Sequence, residues 1–145
     1  MDNRVSRVVL MADDDPDDRF VVKEAFREIG ISQFRFVEDG EQLLDYLCHK
    51  GKFSDPKLAP PPSFILLDLN MPKKDGREAL AEIKAAPDLS VPPIVIFTTS
   101  DDEDDREFCR KAGASDYLVK PNSYDALVKT LDLLVKRWHS LSLPV

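Results

Sequence analysis

A doubly wound α/β fold with five parallel strands is the architecture this sequence predicts. Two observations carry it. Apolar runs of strand length alternate with helix-period segments along the chain, and such alternation implies a parallel sheet covered by helices on both faces. Four of the runs also end in residues suited to phosphate or metal chemistry: Asp13 and Asp14, Asp68, Thr98 and Lys120. In such sheets ligands bind outside the carboxyl ends of the strands, where strand order reverses. The four endings should therefore converge on one site.

The elements follow in order. Residues 8–12 form a continuous apolar run and read as a buried strand. Val22, Ala25, Phe26 and Ile29 then keep the i, i+3, i+4, i+7 pattern of a helix face, and Gly30 stops that helix. Residues 33–37 are mixed in polarity, as suits a strand at a sheet edge. Leu43, Leu44, Leu47 and Cys48 give the next helix stripe. Residues 49–63 hold Pro56 and Pro60-Pro61-Pro62, too many prolines for a helix, and read as a surface loop. A strand at 64–68 precedes a helix over 76–85 with Ala79, Leu80 and Ile83 on one face. A strand at 93–98 precedes a helix over 101–112, with Ser100 and Glu103 spaced as a capping box. The run Asp101-Asp102-Glu103-Asp104-Asp105 matches the positive end of that helix dipole, which needs no ligand to explain it. The strand ending at Val119 and a helix over 123–140 close the series. That helix carries Leu127, Leu131, Leu134, Val135 and Trp138 on one side. Trp138 and Tyr124 read as packing residues; His49, His139, Asp125 and Asp132 read as surface residues.

The chain has 145 residues, enough for one domain with a full core. Its net charge of −7 speaks against a nucleic-acid partner, which wants a basic face, and against an anionic membrane surface. No apolar stretch approaches spanning length, and the N-terminus lacks the apolar core of a signal peptide. A cytoplasmic protein is expected. Cys48 and Cys109 lie far apart in helix-like segments and read as free thiols, buried or partly buried.

Asp13, Asp14 and Asp15 are adjacent at the mouth of a buried strand. Like charges so placed raise one another's pKa and oppose folding, so such a cluster suggests a hard cation with oxygen ligands. Asp15 has a second reading, as the cap of a helix beginning at Pro16. Asp13, Asp14 and Asp68 supply ligands for one octahedral Mg²⁺. Lys120 is a compact cation suited to one phosphate oxygen, and Thr98 offers a hydroxyl. Together they cradle a transferred phosphoryl group, with Asp68 as the nucleophile of an aspartyl-phosphate. Asp13, Asp15, Asp17 and Glu24 also fall at positions of an EF-hand loop, but Asp18 stands where that loop demands Gly.

The stretches Leu10-Met11-Ala12-Asp13-Asp14-Asp15-Pro16, Leu66-Leu67-Asp68-Leu69-Asn70-Met71-Pro72, Phe97-Thr98-Thr99-Ser100 and Tyr117-Leu118-Val119-Lys120-Pro121 resemble those of response-regulator receiver domains. Asp75-Gly76 and Ala112-Gly113-Ala114 match as well, so the resemblance covers nearly the whole chain. It implies a flavodoxin-like (βα)5 fold with strand order 2-1-3-4-5. It implies Asp68 as phospho-acceptor and Asp14 as direct Mg²⁺ ligand. Asp13 would act on the metal through water, and Asn70 through its backbone carbonyl. Thr98 would be the switch hydroxyl, Lys120 the phosphate-pairing lysine and Tyr117 the aromatic switch residue. It further implies a cis bond between Lys120 and Pro121. Thr99 would occupy a small-residue position beside the phosphate, its side chain pointing away from that of Thr98. Ser100 and Asn70 lie where the family tunes acyl-phosphate lifetime. Departures are Ala12, where a bulkier aliphatic is common, and the acidic density at 101–105.

The long loop, the phrase from Leu69 to Gly76 and the Thr98-Thr99 pair resemble the single-domain regulators paired with phytochrome-type histidine kinases. The expected organisation is one receiver domain over 1–145, with a core at about 7–140 and a tail at 141–145, and no output domain. The implied function is phosphoryl acceptance from a sensor histidine kinase, followed by a population shift between two states. This is signalling, not multiple-turnover catalysis. A homodimer through the face of the fourth and fifth helices and the apolar tail, with Leu141, Leu143 and Val145, is a further expectation. Two other readings remain: an aspartate-nucleophile phosphatase, disfavoured because Asn70 cannot protonate a leaving group, and a phosphorylation-independent adaptor.

Overall fold

The computed structural model describes residues 8–139. Strands β1 (Val9–Ala12), β2 (Phe34–Val37), β3 (Phe64–Leu67), β4 (Ile94–Thr98) and β5 (Asp116–Val119) form a parallel sheet. Their order is β2-β1-β3-β4-β5, as expected. The helices between and after them are α1 (Pro16–Glu28), α2 (Gly40–Cys48), α3 (Gly76–Lys84), α4 (Glu103–Lys111) and α5 (Tyr124–Leu134), the last running on into a π-helical turn at Val135–His139. Among the described residues no helix is long and apolar enough to cross a membrane.

Side-chain alternation along the strands makes two cores. Val9, Met11, Phe64, Leu66, Val95 and Phe97 face α1 and α5, where Val22, Phe26, Leu127 and Leu131 close over them. Leu10, Ala12, Ile65, Leu67, Ile94 and Ile96 face α2, α3 and α4, where Leu43, Tyr46, Leu80, Ile83 and Cys109 close over them. β1, β3 and β4 are thus buried on both faces and need apolar residues throughout. β2 lies at an edge, and its mixed residues Arg35 and Phe36 follow from that.

Helix starts are fixed by side chains that accept from orphan amides. Asp15 accepts from Asp17 N and Asp18 N, with Pro16 opening the helix, so the capping reading of Asp15 holds. Asp75 and Glu78 make a reciprocal capping box on α3. The box expected at Ser100 and Glu103 does not form. Asp102 caps α4 by accepting from Asp104 N, because Ser100 is drawn into a contact with Asp105.

Two further expectations are corrected. Cys48 is exposed at the last residue of α2, which turns it away from the core. The α2 stripe instead buries Tyr46, whose hydroxyl donates to Pro60 O at 2.6 Å and ties down the proline-rich loop. That loop holds a short 3-10 turn at Gly51–Phe53, its Phe53 ring 5.1 Å from Tyr46. Tyr124 is exposed and donates to Glu28 at 3.1 Å. Trp138 does pack, against the α1 and α5 core. The tail at 141–145 lies outside the described residues.

Candidate functional site

Strand register assembles the acids. Ala12 pairs with Leu67, so Asp13 and Asp68, the next residues of each chain segment, stand side by side beyond the carboxyl ends of β1 and β3. Asp68 N donates to Ala12 O at 3.0 Å. Thr98 pairs with Val119, and Lys120 N donates to Thr98 O at 2.7 Å. Asp13, Asp68 and Thr98 are all buried, Asp13 and Thr98 completely.

Lys120 reaches across the site. Its ammonium donates to Asp13 Oδ2 at 2.8 Å, Asp18 Oδ2 at 2.7 Å and Asp68 Oδ2 at 3.2 Å. Those three bonds exhaust the donors of an ammonium. Burial pulls this lysine's pKa down, but the bonds to Asp13 and Asp18 and the charge of Asp68 outweigh it, so the group is held more basic than usual. Burial pushes the Asp13 carboxyl above its ordinary range, and the bonds from Lys120 and Asp15 N do not fully offset this. One cation shared among three acids leaves the site with excess negative charge.

That excess suits a metal. Oxygens of Asp13, Asp14 and Asp68 lie within 4.8 Å of one another. Two of these residues are buried and Asp14 is exposed, so the cluster is closed below and open to solvent above. Hard carboxylate donors with room for water fit a small divalent cation. Asn70 stands at the rim, and its N–H donates to Asp68 Oδ1 at 3.2 Å.

Two loops frame Asp68. After β3 the chain turns back so closely that Gly76 abuts the backbone of Asp68 and Leu69, and a Cβ there would come 2.9 Å from Leu69 Cα. Past β4, Thr98 Oγ1 accepts from Ser100 N at 3.5 Å, while Thr99 points to solvent as the alternation required. Ser100 Oγ donates to Asp105 at 2.7 Å. Arg77 grips the same carboxylate with Nε at 2.8 Å and Nη2 at 2.9 Å. Tyr117 donates its hydroxyl to Ser100 O at 3.0 Å, and the Arg106 guanidinium lies 4.7 Å from the centre of its ring.

The structure therefore brings Asp13, Asp14, Asp68 and Lys120 together, with Asn70 and Thr98 at the same edge and Tyr117 bound to the adjoining loop. The Lys120–Pro121 bond is trans, against expectation; no cis bond occurs among the described residues. Lys120 is oriented by its carboxylate partners instead. Asp18 is a site residue that the sequence reading missed. A helix capped at Asp15 and opened by Pro16 puts Asp18 in the first turn of α1, but an acid at a helix start carries no mark of a distant partner. Arg19 was missed as well; its Nη1 donates to Asp13 O at 2.9 Å.

The sequence profile of the response regulator receiver domain matches residues 9–132. The chain belongs to the response-regulator receiver family. This receiver is 36% identical over 140 residues to Response regulator Rcp1 of Synechocystis sp., covering 95% of this chain and 93% of Rcp1. The crystal structure of the Mn²⁺-bound form of Rcp1 superposes with a TM-score of 0.80, at 35% identity and over 95% and 99% of the two chains. The phosphorylated cyanobacterial phytochrome response regulator RcpA gives a TM-score of 0.84 at 32% identity, over 94% and 96%. The receiver domain of the sensor histidine kinase PA1611 from Pseudomonas aeruginosa, solved with magnesium in its active-site cleft, gives 0.68 at 27% identity, over 94% and 99%. The flavodoxin-like expectation is met, and this receiver is a phosphorylation-based signalling domain of the two-component type.

Proposed function

We propose that Asp68 is the phospho-acceptor of this receiver, with Mg²⁺ held by Asp13, Asp14, Asp68 and the Asn70 carbonyl. The observation that carries this is the shared position of Asp68, inside the acid cluster and 3.2 Å from the Lys120 ammonium. Mg²⁺, when bound, supplies charge neutralisation for the phosphoryl oxygens. An Asp68 oxygen attacks phosphorus in line, the P–N bond of a kinase phosphohistidine breaks, and the imidazole leaves with that electron pair. Lys120 pairs with a phosphoryl oxygen, and Thr98 turns its buried hydroxyl toward another. Ser100 N, which leans on Thr98 Oγ1, follows, and so does the Ser100 carbonyl that Tyr117 holds. The face of α4, β5 and α5 then changes its binding preference by a population shift.

The donor in this reading is a phytochrome-type sensor histidine kinase, which the likeness to RcpA supports. The chain works as a single cytoplasmic receiver without nucleic-acid contact, and it pairs with a second copy through the α4 and α5 face and the tail. High coverage of Rcp1 and RcpA supports the one-domain reading. Sizing with and without phosphate tests the pairing; a monomer at high micromolar concentration in both states rejects it.

Incubation with acetyl phosphate and Mg²⁺ tests the chemistry. One alkali-labile phosphoryl group is expected by intact mass, absent in Asp68→Asn and in EDTA. Sustained phosphate release from many donors would favour a phosphatase, and no label from any donor would favour an adaptor.

A further inference from the structure

We propose that Asp18 is a positioning residue that draws Lys120 aside when a cation enters the acid cluster. The inference rests on the metal site proposed above. Of the three carboxylates that hold the ammonium, Asp13 and Asp68 are also cluster members. Asp18 is not, yet its contact with Lys120 is the shortest of the three, at 2.7 Å.

The local sequence builds this. Asp15 accepts from the amides of Asp17 and Asp18 and fixes the first turn of α1. A carboxylate in a first turn is favoured by the helix dipole. Asp18 is also the most exposed of the three, its side chain 41% accessible against 0% and 9% for Asp13 and Asp68. Charge on Asp18 therefore costs little in desolvation.

Without a cation, Lys120 partly neutralises the cluster and keeps three buried or crowded acids from repelling. A divalent cation takes over that task and repels the ammonium, and its ligands Asp13 and Asp68 become poorer acceptors. Asp18 is the partner that neither event weakens. It keeps the ammonium at the site, out of the metal's way and within reach of an arriving phosphoryl oxygen. Without Asp18 the ammonium has only Asp13 and Asp68 left, and it competes with the cation for them.

The test is a double-mutant cycle on Mn²⁺ affinity, read as free Mn²⁺ by electron paramagnetic resonance. Asp18→Asn is expected to weaken binding about tenfold with Lys120 present, and less than about twofold in Lys120→Met, since coupled groups depart from additivity. An equal loss in both backgrounds would reduce Asp18 to a bystander charge and overturn the proposal. Binding that Asp68→Asn leaves untouched would instead overturn the metal site itself. A structure of the Mg²⁺-loaded protein reads the same point without substitution. Lys120 Nζ is expected to keep Asp18 and to leave Asp13 beyond hydrogen-bond reach, about 3.5 Å or more; the reverse pattern defeats the idea.

Discussion

The Tyr117 hydroxyl is bonded to the Ser100 carbonyl, at 3.0 Å, two residues past Thr98. The aromatic side chain on β5 is thereby tied to the same short loop whose amide rests on the Thr98 hydroxyl. A change at Thr98 and a change at Tyr117 share one peptide segment. Removing the tie in Tyr117→Phe should cost about 0.5–1.5 kcal/mol, the usual net worth of such a bond. Amide exchange in residues 99–102 should quicken while β3 stays protected. Unchanged exchange in that loop would show that the bond does not hold it.

Arg77 and Ser100 meet on Asp105, linking α3, the loop and α4. The Arg77 guanidinium, and then the Ser100 hydroxyl, hold the Asp105 carboxyl below its ordinary 3.8. A depressed carboxylate contributes stability above its unfolded value, and loses it as pH falls through the folded one. Arg77→Met is therefore expected to lose about 1 kcal/mol at pH 7. The gap to the parent should close progressively below pH 3.8. Urea unfolding at several pH values measures this, and a gap constant down to the acid limb would reject the pairing as its source.

Gly76 has no room for a methyl group, because Asp68 O and Leu69 Cα, both backbone, stand against it. Gly76→Ala should destabilise by about 1–3 kcal/mol, as overpacking does. It should also lower acetyl-phosphate labelling of Asp68, because the strand end must shift to make space. A variant of parental stability would mean that the loop yields freely.

The two cysteines should differ in reactivity. Burial pushes the Cys109 thiol up to about 11, whereas Cys48 is exposed. Only a thiolate attacks a disulfide reagent. At pH 8 one thiol should react quickly in the folded protein and the second only after denaturation. Two equally fast thiols would contradict the packing of α4 on the sheet.

The sheet and its order were readable because strand periodicity and apolar runs are local signals that tertiary packing reinforces. The acid pair, Asp68, Thr98 and Lys120 were readable for the same reason: each terminates such a run. Asp18 was not, since a surface acid in a helix start looks the same whether or not it reaches a lysine 102 residues away. Ser100 misled for a related reason. Its spacing to Glu103 suits a capping box, but Arg77, far away in sequence, fixes Asp105 where Ser100 can reach it. Tyr46 joined a leucine stripe that looked sufficient by itself. In each case a long-range partner chose among local options of similar energy.

The position of Asp68 in the sheet has a mechanical meaning. It follows β3, the middle strand, which is laced to a neighbour on each side, whereas Tyr117 lies in β5 and Lys120 directly after it, and among the described residues no strand flanks β5 on its outer side. A middle strand opens last and an outer one first. On the proposed reading, the phosphoryl group would be anchored to the stiffest part of the molecule, and Lys120 and Tyr117, which would respond to it, hang from the most yielding part. On that reading the domain would act as a stylus resting on a fixed bed, a small displacement at the bed becoming travel at the free margin.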